Sequence, residues 1–157
     1  MLTYYNLKSI IVAQKKISFT MRTESDSFRV APKREEPYIE PSFRKELFET
    51  ERPPVILVSA VGASGKTTLA EMLSAETGLP LLNLARHKPV GDNTLTGVLT
   101  TAFRLEDLSS VFESIVKGTY GLIIDGIDEG RSKTTTQAFE AFLDDIIRLC
   151  GGDSATS

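Results

Sequence analysis

Residues 59–68 read SAVGASGKTT. A run of small residues brings one positive charge, on Lys66, and one hydroxyl, on Thr67, to the same point. A helix N-terminus carries free N–H groups and the positive end of the helix dipole. Placed after a buried strand, with Gly62 and Gly65 letting the backbone curl, it forms a nest of donors for phosphate oxygens. In that arrangement Gly62, Ala63, Ser64 and Gly65 offer backbone N–H groups. Lys66 neutralises the β- and γ-phosphates, Thr67 turns its hydroxyl to magnesium, and Thr68 completes the lining. A second stretch, residues 122–129, reads LIIDGIDE. An apolar strand that ends in Asp125 puts a carboxylate at the carboxyl edge of a sheet, where ligands of open α/β sheets bind. Magnesium prefers carboxylate and water, so Asp125 pairs with Thr67 as the expected metal site. Asp128 and Glu129 follow, placed to orient or deprotonate an attacking water.

These residues need elements to position them. Pro41 suits the first turn of a helix over Ser42–Thr50, with Phe43, Leu47 and Phe48 as its apolar stripe. Val55–Val58, bounded by Pro53–Pro54 and the Gly-bearing loop, reads as a strand buried on both faces. Lys66–Thr77 follows as a helix with Leu69, Met72 and Leu73 inward and Gly78 as a left-handed cap. Leu79–Leu84 is a second strand. Residues 85–105 read as a loop with one short element. Leu108, Val111, Phe112, Ile115 and Val116 keep helical spacing up to Gly118, and Gly121–Asp125 is a third buried strand. Phe139, Phe142, Leu143, Ile146 and Ile147 predict a last helix. This alternation implies a parallel α/β sheet flanked by helices, incomplete at about three core strands.

The remaining chain divides simply. Residues 1–36 form a flexible N-terminal segment, 37–150 the nucleotide-binding domain and 151–157 a polar tail. Ser18–Thr20 and Ser27–Val30 offer strand character too short to assign, and Arg22–Glu36 is expected to be extended or disordered. Met21 is an alternative start, which would make residues 1–20 an over-extended reading frame. With 157 residues, 41% hydrophobic and 25% charged, the composition suits one globular domain. A net charge of −3 gives no electrostatic case for nucleic acid. The single cysteine, Cys150, excludes an internal disulfide and reads as a small hydrophobe. No segment has the apolar length for a membrane span and no signal-peptide core is present, so a cytoplasmic protein is expected.

The phosphate loop and LIIDGIDE together resemble the P-loop NTPases over roughly Pro53 to Leu149. The strand–Asp-Gly-hydrophobic-Asp-Glu form is similar to the NACHT-type branch of STAND ATPases, relatives of AAA+ proteins. One departure is Ala60, where the usual loop begins with glycine. The resemblance implies ATP and Mg²⁺ as cofactors, Asp125 in the metal role and Asp128 in water activation, with Glu129 close behind. It implies an ATP-driven switch joined to other domains. That family also has a further strand, a sensor residue and a phosphate-contacting arginine, which the sequence after Glu129 lacks. A protein partner or another domain completing the sheet is therefore expected. The stretch GASGKTTLAEMLSAETGLPLL also resembles small P-loop kinases. In that reading Arg86, His87 and Lys88 bind an acceptor anion, and Arg131 and Lys133 lie near phosphate. A third reading is a nucleotide-binding fragment without catalysis. The guanine-reading Asn-Lys-x-Asp pattern is absent, which favours ATP.

Overall fold

A computed structural model describes residues 2–3, 11, 17–35, 42–43, 65–87, 91 and 93–149. The core of the described chain is a three-stranded sheet made of β2 (Phe28–Arg29), β4 (Leu81–Asn83) and β5 (Ile123–Asp125) in that order. β4 and β5 run parallel, with Leu81 opposite Ile123, Leu82 opposite Ile124 and Asn83 opposite Asp125. β2 runs antiparallel to β4, pairing Phe28 with Leu82 and Arg29 with Leu81. The sheet is therefore mixed, where the sequence predicts a parallel one. The strand that changes its character comes from the N-terminal segment, too short to carry an alternation signal. A separate two-residue antiparallel pair joins β1 (Leu2–Thr3) to β3 (Ser42–Phe43). Ser42 and Phe43 thus pair with another strand and do not open a helix. Pairing across the chain overrides the local Pro-initiated pattern. The rest of that expected helix, 44–50, and the expected strand Val55–Val58 lie outside the described residues.

Helix α1 (Lys66–Thr77) forms where the sequence predicts it and ends at Gly78 with φ 74°. Leu69, Ala70, Leu73 and Ser74 are its buried residues. Gly78–Pro80 then lead directly into β4, so α1 runs back antiparallel to the strand it precedes and packs on β4 and β5. Helix α2 (Thr94–Ala102) takes nine residues of the span 85–105, which the sequence reads as a loop with one short element. Its Leu95, Leu99 and Ala102 are buried, but threonines and Gly97 dilute the pattern with residues of weak helix propensity. Thr100 and Thr101 instead donate their hydroxyls to the Thr96 and Gly97 carbonyls, at 2.6 and 2.9 Å, and so remain compatible with the helix. A 3-10 turn at Leu105–Asp107 leads into α3 (Leu108–Lys117), closed by Gly118 as expected. After β5 come α4 (Ile127–Ser132) and α5 (Thr136–Leu149). Thr135 caps α5, its Oγ1 accepting from the Ala138 N–H at 3.1 Å. Phe139, Phe142 and Asp145 form the buried side of α5, while Leu143 and Ile147 face outward. The inward stripe is therefore rotated from the predicted one. Arg148 lies 3.5 Å from the buried Asp145 carboxylate.

Leu82, Leu84, Leu99, Phe103, Val111 and Phe142 are wholly buried and form the centre of the core. α5 touches α2, α3 and α4 and gathers them into one layer. No helix among the described residues is long and apolar enough to cross a membrane.

The segment before α1 is tied into this core. The Arg22 and Thr23 N–H groups both donate to the Ala102 carbonyl, at 2.7 and 3.2 Å. The Asn83 N–H donates to the Ser27 carbonyl at 2.8 Å, and the Ala31 N–H to Ser74 Oγ at 2.9 Å. Phe19 meets Tyr120 edge-on with ring centroids 4.9 Å apart, and Phe103 at 6.4 Å. Such edge-to-face pairs add stabilisation beyond area burial. Phe19 is thus part of the packed structure. Phe19→Ala is expected to destabilise the fold by about 2 kcal/mol, below the range for a fully buried phenylalanine because Phe19 is half-buried. Urea denaturation checks this; an unchanged midpoint would place Phe19 outside the core.

Candidate functional site

Lys66 is the first residue of α1, preceded by Gly65 at φ 88°. Among the described residues nothing lies within 4 Å of a side chain placed at Gly65, and its left-handed φ favours glycine there. Among the described residues no side chain caps this helix start. Thr67 is exposed, and Lys66 and Thr68 are half-buried. Gly62, Ala63 and Ser64 lie outside the described residues.

Asp125 is the last residue of β5 and half-buried. The parallel register sets it beside Asn83. Side chains alternate along strands, so Leu81, Asn83, Ile123 and Asp125 project from one face of the sheet. Glu71 of α1 shares a cleft with Leu81 and Asn83, which puts α1 on that face. The helix spans about 18 Å at 1.5 Å per residue and runs antiparallel to β4, so its start is directed to the sheet edge that holds Asn83 and Asp125. The N-terminus of α1 and the Asp125 carboxylate thereby share one face and one edge.

Asp128 and Glu129 lie in the first turn of α4, and both are exposed. This stretch is a short helix held tightly to the end of β4. Gly126 has φ 81°, and a Cβ there would lie 2.9 Å from the Ala85 nitrogen and 3.4 Å from that of Leu84. Four residues on, a Cβ at Gly130 would lie 3.0 Å from the Leu84 Cβ. Gly126 leaves no room for a Cβ and Gly130 leaves little, and this close fit sets the distance between α4 and the β4 exit. Lys133 Nζ donates to the Ala85 carbonyl, a third tie between the same segments. The Glu129 Oε2 is folded back to 3.5 Å from the Cβ position of Gly126. Among the described residues no hydrogen bond or ion pair engages the Asp125, Asp128 or Glu129 side chains.

The turn after β4 is built on Asn83. Its Oδ1 accepts from the Ala85 N–H at 3.0 Å, and its carbonyl accepts from the Arg86 and His87 N–H groups, both at 3.1 Å. His87 is half-buried with Nδ1 3.5 Å from Ser27 Oγ, and burial holds its pKa below the usual imidazole value. Arg86 is exposed, and Lys88 lies outside the described residues. Of the cations that the kinase reading places near phosphate, Lys133 is spent on the Ala85 carbonyl and Arg131 is exposed on α4.

No group of three or more His, Cys, Asp or Glu able to hold a metal occurs among the described residues. A hydroxyl at Thr67 and an unengaged carboxylate at Asp125, on one face, fit an ion that completes its shell with phosphate and water. Sequence reasoning missed Gly126 and Gly130 as close-packing positions, although their spacing of four on a helix was a visible signal. The N-terminal strand that borders the β4 exit, Phe28–Arg29, falls within Ser27–Val30, whose strand character was too short to assign. The chain matches no family model, no curated protein and no solved structure.

Gly126→Ala is expected to cost about 2–3 kcal/mol, from left-handed strain together with the displaced Ala85 backbone. Thermal and urea denaturation measure it. A cost under about 0.5 kcal/mol, the usual size of a neutral surface change, would remove the contact from the account.

Proposed function

We propose that the chain is the ATP-binding P-loop module of a STAND- or NACHT-like ATPase, binding and hydrolysing ATP with magnesium as a molecular switch. One observation carries the reading. A helix that starts Gly-Lys-Thr after a left-handed glycine shares a sheet face and edge with the aspartate that ends β5. Helix start, lysine, hydroxyl and strand-end carboxylate are each common alone; their convergence is what phosphate and magnesium require. The α4 acids lie directly beyond that carboxylate.

In this reading Gly65 and the residues before it turn N–H groups to the phosphate oxygens. Lys66 neutralises charge on the β- and γ-phosphates. Thr67 and Asp125 would hold the magnesium ion, which would draw charge from the phosphate oxygens when bound. Asp128 orients the attacking water and accepts its proton, with Glu129 as the neighbouring acid. Gly126 fixes how far these acids stand from Asp125 and the sheet edge. A protein partner or further domain completing the sheet belongs to the same proposal.

Lys66→Ala is expected to weaken ATP binding about 100-fold, the loss of a charge-assisted contact of about 3 kcal/mol, while the fold persists. Calorimetric titration reads it, and tight ATP binding by that variant would overturn the assignment of the loop. Asp128→Asn is expected to keep ATP affinity and lower turnover by about 100-fold or more, the range for a lost general base. Unchanged turnover would remove Asp128 from the site. Turnover that depends on a small-molecule acceptor would turn the reading to a kinase.

A further inference from the structure

The sheet runs in the order β2, β4, β5, so among the described residues β5 has β4 at one edge and no strand at the other. The Ile123 N–H donates to the Pro80 carbonyl at 2.9 Å, and the Asp125 carbonyl accepts from the Leu84 N–H at 2.8 Å. Backbone groups point to alternate sides along a strand, so those of Ile124 face the open edge. Burial agrees. Leu82 and Leu84 are fully buried, whereas Ile123 and Ile124, on opposite faces of β5, are both half-buried. Edges built to face water are guarded by charge or proline, and Leu122, Ile123 and Ile124 supply neither. We propose that this edge is a docking edge for the chain's own residues 55–58, Val-Ile-Leu-Val, paired with β5 in parallel.

The occupant lies outside the described residues, and the direction of α1 identifies it. α1 begins at the sheet edge that holds Asn83 and Asp125 and runs back antiparallel to β4. A strand that delivers the chain to that start ends at the same edge, and so runs parallel to β4 and β5. Both sides of β4 are taken, by β2 and β5. A helix that joins two parallel strands packs over the sheet between them. α1 packs on β5 as well as on β4, so the strand before α1 belongs beyond β5. Residues 59–64 supply a link that reaches about 20 Å when extended, more than the ~10 Å between packed layers. The segment is apolar throughout, as two half-buried faces of β5 require. Its tether holds it at about millimolar effective concentration, an advantage over any separate chain. The docking does not depend on ATP. It narrows the role of the sheet-completing partner proposed above, whose strand would add beyond residues 55–58.

The test is amide hydrogen exchange of the full chain by NMR, together with cross-strand nuclear Overhauser contacts. The Ile124 N–H is expected to exchange at least about 100-fold more slowly than an open amide. It should also show a contact to an α-proton within residues 55–58. The Ile123 N–H, held by Pro80, is the control. Ile56→Pro and Leu57→Pro remove two donors of the docked segment in turn, and at least one should release Ile124 while Ile123 stays protected. Where a proline variant also loses Ile123 protection, the α-proton contact in the unaltered chain decides. Exchange of Ile124 at the open rate, protection that rises with protein concentration, or a contact to a different segment would overturn the docking. A protected Ile124 in a chain that binds no ATP would overturn the nucleotide reading alone. ATP binding with an open Ile124 would overturn the docking alone.

Discussion

The close approach of Gly126 to the Leu84–Ala85 backbone governs the geometry of the carboxyl edge. The parallel pairing of β4 and β5 brings Asn83 and Asp125 level, but it does not decide where the chain goes next. The left-handed turn at Gly126 does, because it lets the chain fold back over the β4 exit at a distance that no Cβ permits. Gly130 repeats the fit one helical turn later, and Lys133 reaches the same exit at Ala85. The acids of α4 are therefore placed by backbone contact, and their side chains remain unspent on structure.

The second constraint is the direction of α1. A three-residue link between Thr77 and Leu81 forces the helix to run back along the strand it precedes. Ser74 holds that link, donating to the Leu79 carbonyl at 2.7 Å while accepting from Ala31. The N-terminal segment thus braces the C-terminal end of α1 and pairs with β4. It contributes an edge strand and a phenylalanine to the aromatic cluster.

The sequence revealed elements wherever apolar spacing and punctuation agreed. Helix α1 with its Gly78 cap, helix α3 with Gly118, and the strands ending at Asn83 and Asp125 were legible because each is long or bounded by glycine. Helix α2 was not, since its threonines and Gly97 imitate a loop. β2 was not, since two residues carry no period and its partner is more than fifty positions away. On α5, a buried aspartate and two exposed aliphatics turned the inward face from the expected one. The places of Lys66 and Thr67 at a helix start and of Asp125 at a strand end were legible from residue type and order. The glycines that seat α4 were not, because close approach is a property of two segments and only one is visible in a motif.

The central claim is that phosphate sits at the start of α1, facing Asp125. The most direct measurement is a titration of the full chain with magnesium and ATP, followed through backbone amide resonances. The account predicts saturable shifts centred on Gly65, Lys66, Thr67 and Asp125, absent when magnesium is replaced by chelator or weakened severalfold. Saturable binding that leaves Gly65–Thr67 unmoved, or no saturable binding at all, would contradict it.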